Sequence, residues 1–356
     1  MSKTIPASQR VPEGVPTANT TTHEDFVWSC KSTGSETQTL YFRFNSGIWG
    51  FIQIAWGYIA VSPTIQSNAM FYVPGDGNAF ETHNGHKLKI AKDGVSSDVH
   101  GVSMKWDENM EKLIVDYTIG KKYNIKGHFV FERTDHGFKI GDGKNIVGPG
   151  TVQHSFYPCG KVKANMIIKG KPYEETGTGF YIHAMSADIM PYNVGQEWSF
   201  TDFVSDDKAN PTTFQLLQYI TPARFGGTLC TQAGLQIDGK NYAVFWDNNV
   251  KLEDNVKDNK SGYQIPKQII YEANGEILKD KKKIKVTMDC RPDVFLQRID
   301  VLYELPYFVK IAVQTLITNP FIFQWLELKS TMKIEVEGEP EKVLTGSSFH
   351  ELTLMK

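Results

Sequence analysis

The chain has 356 residues, 40% of them hydrophobic and 12% aromatic, enough for a sizeable core in about two domains of roughly 150 residues each. Its 38 Lys and Arg nearly cancel its 40 Asp and Glu, for a formal net charge of -2, so it carries no basic footprint for nucleic acid. Four scattered cysteines, Cys30, Cys159, Cys230 and Cys290, form no CxxC pair; that spacing argues against a disulfide framework or a zinc site and for reduced, mostly buried thiols.

In chain order, residues 1–22 are rich in Pro, Ser and Thr and lack an apolar h-region. They read as a disordered arm and not as a secretory signal. From residue 23 onward no long 3.6-period apolar stripe with caps occurs. Short runs of β-branched and aromatic residues recur instead: TLYFRF (39–44), IWGFIQIAWGYIA (48–60), KLIVDYTI (112–119), YNIKGHFVFER (123–133), KVKANMII (161–168), TFQLLQYI (213–220), YAVFWD (242–247), KIKVTMD (283–289) and KSTMKIEVE (329–337). Asp-Gly and Asn-Gly pairs in PGDGN, KDG, IGDGK, IDGKN and EANGE supply the positive φ that hairpins need. Regular short strands with such turns predict an all-β sandwich or barrel. The most apolar run, IAVQTLITNPFIFQWL (311–326), is shorter than a spanning helix and broken by Pro320; it reads as two strands about a TNP turn.

Trp28 and Trp198 each lead through a polar loop into an aromatic strand and then a Gly-containing turn, a weak internal echo of two similar domains. The Gly-rich stretch GDGKNIVGPG (141–150) marks the expected boundary, giving domains 23–150 and 151–356.

The stretch GTGFYIHAM (177–185) has glycines but neither the GxxxxGK[ST] pattern nor a following helix, so it is no phosphate loop. As a strand it places Phe180, Ile182 and Ala184 on one face and Tyr181, His183 and Met185 on the other. The run 48–60 divides likewise, with Trp49, Phe51 and Ala55 opposite Ile48, Ile52, Ile54 and Trp56. Strands that are apolar on both faces must be covered on both. A barrel of about eight strands meets that need inside and leaves room for one small apolar ligand. The candidate cavity residues are Tyr181, His183, Met185, Trp198, Trp49, Phe51 and His154, with His183 either a polar handle or a core histidine satisfied by a neighbour.

Other chemistry finds little support. HNGH (83–86) spans a turn, which places no metal there, and no HExxH or GxSxG occurs. Asp188 and Asp202, near His183 in sequence, are the candidates for acid–base work with it, and otherwise read as loop and strand-edge acids. The basic run LKDKKKIKV (278–286) reads as a solvated hairpin end or a weak contact for an anionic membrane. No cofactor or metal is called for.

Several segments, in order, resemble the fungal survival factor 1 family: HEDFVWSCKSTGSETQTLYFRFNSGIWGFIQI (23–54), HSFYPCGKVKANMIIKGKPYEETGTGFYIHAM (154–185), QEWSFTDFVSDD (196–207), ITNPFIFQWLELK and GSSFHEL. His154, Phe156, Pro158, Gly177, Gly179, His183, Pro191 and Trp198 match its pattern, whereas Tyr192 stands where a second histidine is expected. The resemblance implies an all-β protein of two consecutive antiparallel lipocalin-like β-barrels. It further implies a non-enzymatic carrier of ceramide or a related sphingolipid between ER and Golgi, supporting survival under oxidative stress. The expected partners are a hydrophobic lipid and, transiently, an ER or Golgi membrane surface; the expected location is the cytoplasm, and also the nucleus. The arm lacks the amphipathic segment with which the family's best-known member meets Golgi membranes. The competing readings are a hydratase or isomerase on an isoprenoid-like substrate, with His183 and an Asp as acid and base, and a scaffold whose barrels are filled by their own side chains.

Overall fold

The computed structural model describes residues 5–9, 11, 17–31, 33–59, 62–301 and 319–355. The first strand expected in the 311–326 run lies outside these residues. Among the described residues the chain is strands and turns, with single turns of 3-10 helix at His23–Phe26, Pro191–Asn193 and Ala223–Phe225. It divides into two compact units, one of Pro12–Pro191 and one of Tyr192–Lys356 with Met1–Val11.

The first unit contains β1 (Gly34–Phe44), β2 (Trp49–Ile59), β3 (Ser62–Val73), β4 (Gly77–Gly85), β5 (Lys89–Ile90), β6 (Ser97–Val99), β7 (Val102–Trp106), β8 (Lys112–Tyr117), β9 (Lys126–Arg133), β10 (Gly150–Ile168) and β11 (Lys171–Ala187). They form one curled antiparallel sheet in the order β4-β3-β2-β1-β11-β10-β9-β8-β7-β6-β5. Alternation assigns the faces: Leu40, Phe42, Phe44, Ile52, Ile54, Val115, Phe129, Phe131 and Tyr181 point into a common core. Each such side chain stabilises the fold by about 1.5–3 kcal/mol relative to exposure.

The second unit contains β12 (Glu197–Ser205), β13 (Thr212–Ile220), β14 (Leu229–Ile237), β15 (Lys240–Glu253), β16 (Gln268–Ile277), β17 (Lys283–Cys290), β18 (Val294–Asp300), β19 (Phe321–Val336) and β20 (Lys342–Leu354). Here the sheet closes. The order β17-β16-β15-β14-β13-β12-β20-β19 returns to β17 through pairs such as Ile284 with Val336 and Met288 with Met332. That makes a closed eight-stranded barrel, with β18 pairing the other half of β19. Its interior holds Phe203, Phe214, Leu216, Leu235, Phe245, Val286, Met288 and Met332. The expected lipocalin-like all-β architecture is therefore present, with one barrel closed by hydrogen bonds and the other a curled sheet.

Two sequence expectations need correction. The boundary is not at 141–150. That stretch holds a short strand, Lys144–Val147, which forms a hairpin with the start of β10, and β10 and β11 pair with β9 and β1, so they belong to the first unit. Nor are the described residues of the arm free: Ala18–Thr20 pairs with Phe138–Ile140, and Gln9 donates to the Thr231 carbonyl at 2.8 Å.

Candidate functional site

Each unit carries a buried polar centre inside its apolar interior. In the first, β1 places Glu36 on the same face as Leu40 and Phe42, and β11 places His183 on the same face as Tyr181. His183 Nε2 lies 2.9 Å from Glu36 Oε1, and its Nδ1 lies 3.2 Å from the Asp25 carbonyl. Both ring nitrogens thus face acceptors, as an imidazolium paired with a carboxylate requires. Glu36 also accepts from the Ser29 amide at 3.0 Å, the Cys30 amide at 2.7 Å and the Ser29 hydroxyl at 3.1 Å. Burial alone would raise its pKa, but His183 and these amides hold it below the ordinary carboxylate value.

Asp25 extends the centre. Its carboxylate receives the Lys139 ammonium at 2.8 Å and Gln153 at 3.2 Å, and it caps the 3-10 turn through the Thr22 amide at 2.7 Å. Aromatic rings close around the pair. Phe26 stacks on Tyr157 with centroids 4.3 Å apart, Trp28 stands edge-on to His183 at 5.7 Å, and Trp106 stands edge-on to Tyr181 at 5.1 Å. The arrangement fastens segment 23–30 to β1 and β11, and it leaves neither His183 nitrogen open to a further group.

The second centre lies inside the closed barrel. His350, Ser348, Ser330, Glu327, Tyr271, Thr201 and Cys290 are all buried there. A β-bulge between Glu327 and Ser330 shifts the alternation of β19, so that both residues reach the interior. Ser330 donates to Glu327 at 3.0 Å and is in close contact with the Ser348 hydroxyl, which lies 2.9 Å from His350 Nε2. On the far side of the ring, His350 Nδ1 is 3.0 Å from the Tyr271 hydroxyl and 3.2 Å from that of Thr201. The result is a continuous chain from carboxylate through two hydroxyls and an imidazole to a phenol.

Burial would raise the Glu327 pKa, but His350 and the Arg291 amide hold it down. Burial pushes the Tyr271 and Cys290 pKa values well up. Cys290, Glu327 and His350 each offer one donor atom within 4.8 Å of the others, the mixed set a divalent transition metal would accept.

The sequence-derived candidates separate. Tyr181, His183 and Met185 share the inner face of β11. Trp49 and Phe51 lie on the opposite face of the sheet, buried with Tyr41 and Phe180: Tyr41 stacks on Phe180 at 4.5 Å and lies 5.5 Å from Phe51. His154 pairs with Ala184 on that same outer-facing register, and its surroundings push its pKa down to about 4, first by burial and then by the charge of His183. Trp198 stacks on Tyr219 at 4.2 Å, on the face of β12 and β13 away from the barrel interior. The partner of His183 is Glu36, not Asp188 or Asp202; the Asp202 carboxylate instead accepts from Gln215 at 2.9 Å.

The reading from sequence alone missed Glu36, Asp25 and the entire His350 set. The signal available was alternation: Glu36 keeps step with Leu40, and Ser348 and His350 with Leu352.

The chain matches the Svf1 family over residues 2–356. It belongs to that family. Similar relatives include a ceramide-binding protein svf1 of Emericella nidulans, 28% identical over 98% of this chain and 93% of that protein. Another is the ceramide-binding protein svf-1 of Neurospora crassa, 27% identical over 94% of this chain and 89% of that protein. Survival factor 2 of Schizosaccharomyces pombe is 24% identical over 93% of each chain. Among solved structures, kievitone hydratase of Nectria haematococca aligns with a TM-score of 0.58 at 11% identity, over 98% of this chain and 97% of that one. A putative AttH from Nitrosomonas europaea aligns at 0.59 and 13%, over 97% and 99%. At such identities these structures show that the Svf1 fold is shared and no more.

Proposed function

We propose that this Svf1-family protein binds a ceramide-like sphingolipid without chemical conversion and carries it through the cytoplasm between ER and Golgi membranes, in support of survival under oxidative stress. The observation that carries the reading is the near full-length similarity to relatives named ceramide-binding proteins. The architecture suits such a carrier. Apolar inner walls give affinity at roughly 25 cal/mol per Å² buried, and a few buried polar groups orient a head group. Protein purified from its host is expected to carry sphingolipid detectable by mass spectrometry, and added ceramide is expected to raise its melting temperature. Absence of both effects contradicts the reading.

A second reading, a hydratase or isomerase on a hydrophobic substrate, draws support from the Tyr271–His350–Ser348–Ser330–Glu327 chain. Such a chain can move a proton inside an apolar chamber. It moves the acid–base pair from His183 to His350. Turnover of an apolar alkene that is lost in His350→Ala while binding is kept would favour it.

A further inference from the structure

Inside the closed barrel, a second row of polar side chains stands apart from the His350 chain. Ser199 of β12 pairs in register with Gln218 of β13, and Gln218 with Thr231 of β14. Asn248 of β15 completes the row by donating its Nδ2 to Thr231 Oγ1 at 2.9 Å. All four lie on the inner face by alternation, in step with Phe203, Leu216, Ala233 and Val250. Relative exposures are 3% for Ser199, 4% for Gln218, 7% for Thr231 and 3% for Asn248.

Three atoms of this row have no hydrogen-bond partner among the described residues: Ser199 Oγ, Gln218 Oε1 and Asn248 Oδ1. The orientation of the Asn248 amide is fixed by its neighbours. Its Nδ2 also reaches the Phe245 carbonyl at 3.3 Å, which can only accept, and Thr231 spends its own hydroxyl proton on the Leu217 carbonyl at 3.1 Å. The Asn248 oxygen is therefore a bare acceptor. Buried polar atoms are nearly always paired, and leaving one unpaired is costly. Three on β12, β13 and β15, bridged by Thr231 of β14 at one level of the barrel, define a surface that lacks its complement.

We propose that this row is the head-group seat for the lipid. Two of the three open atoms are amide oxygens and the third is a hydroxyl, so the complement is a ligand rich in N–H and O–H donors. The amide-diol head of a ceramide offers one N–H and two O–H groups at its most polar end. Leu216, Ala233 and Val250 continue the same wall as apolar surface, which suits the acyl chains. The seat deepens the ceramide reading and rests on it: it assigns the ligand to the closed barrel and names the residues that select its head.

The test measures binding of N-hexanoyl sphingosine to the full chain, alongside the melting temperature of each lipid-free protein. Wild type is expected to bind the ceramide, and to bind its N-methyl and 1-O-methyl analogues at least tenfold more weakly. Gln218→Met and Asn248→Leu remove the open oxygens and are expected to leave the lipid-free melting temperature unchanged or higher, while weakening ceramide at least tenfold and narrowing its advantage over the methylated analogues. Wild type that binds ceramide and both analogues equally overturns the seat and leaves the ceramide reading standing, and this comparison decides even if a variant fails to fold. A folded variant that binds ceramide as wild type does has the same consequence. Wild type that binds no ceramide removes the reading itself, and the seat with it.

Discussion

His183 Nε2 and Glu36 Oε1 lie 2.9 Å apart, with both side chains almost wholly out of solvent. The pair ties β1 to β11, and through the Ser29 and Cys30 amides and the Asp25 carbonyl it ties both strands to segment 23–30. Breaking a buried pair from one side leaves the other charge unsatisfied, at a cost of about 3–5 kcal/mol. Glu36→Ala and His183→Ala are each expected to lose that much stability in urea unfolding. The double variant is expected to lose much less than the sum of the two. Additive losses would show that the pair is not coupled.

His154 sets a pH dependence of stability. Its folded-state pKa is about 4, against an ordinary value of 6.5. Above pH 6.5 the group is neutral whether folded or not, and its neutral form is fully compatible with the fold. As pH falls from 6.5 towards 4 the unfolded chain takes the proton first, so stability declines through that window and the decline from this group ends below it. The melting temperature is expected to fall across this range in wild type and to fall less steeply in His154→Gln. Parallel curves would contradict the assignment.

The glycines of GTGFYIHAM act through close approach of strands. A Cβ at position 177 would lie 2.0 Å from the Arg43 carbonyl oxygen, and one at 179 would lie 2.4 Å from that of Tyr41. Backbone cannot yield as a flexible side chain can, so Gly177→Ala is expected to cost at least about 2 kcal/mol. Unchanged unfolding in urea would refute this.

Burial pushes the Cys230 thiol up to about 11 and raises the Cys290 thiol well above its ordinary value. At pH 8 a thiol of pKa near 11 is ionised in roughly one molecule in a thousand, and the thiolate is the reactive form. Iodoacetamide at pH 8 is expected to leave both cysteines unmodified in the native protein and to modify both in urea, as read by peptide mass spectrometry. Rapid native labelling of either would contradict the packing described.

The strands, most hairpin turns and the lipocalin-like class were legible because alternation and Asp-Gly turns are local signals; the Asn-Gly pairs at 84–85 and 274–275, read as turns, instead lie within β4 and β16. The faces of β2 were legible as two sets, but not which set is inside. Both are apolar, and only tertiary packing puts Ile52 and Ile54 in the core and Trp49 and Phe51 on the opposite face. The partner of His183 was illegible for a similar reason: Glu36 is 147 residues away, and cross-strand register cannot be read from either strand alone. The boundary was misplaced because turn residues at 141–150 look like a linker until β11 is seen to pair with β1. Glu327 was hidden by the bulge that reverses its face.

The central claim is that the molecule holds a sphingolipid, and native mass spectrometry of protein purified from its host tests it most directly. The expected result is a population of protein heavier than the bare chain by the mass of a ceramide, which is released on denaturation and identified by lipid analysis. Bare protein alone, which stays bare after incubation with ceramide-containing vesicles, would contradict the account.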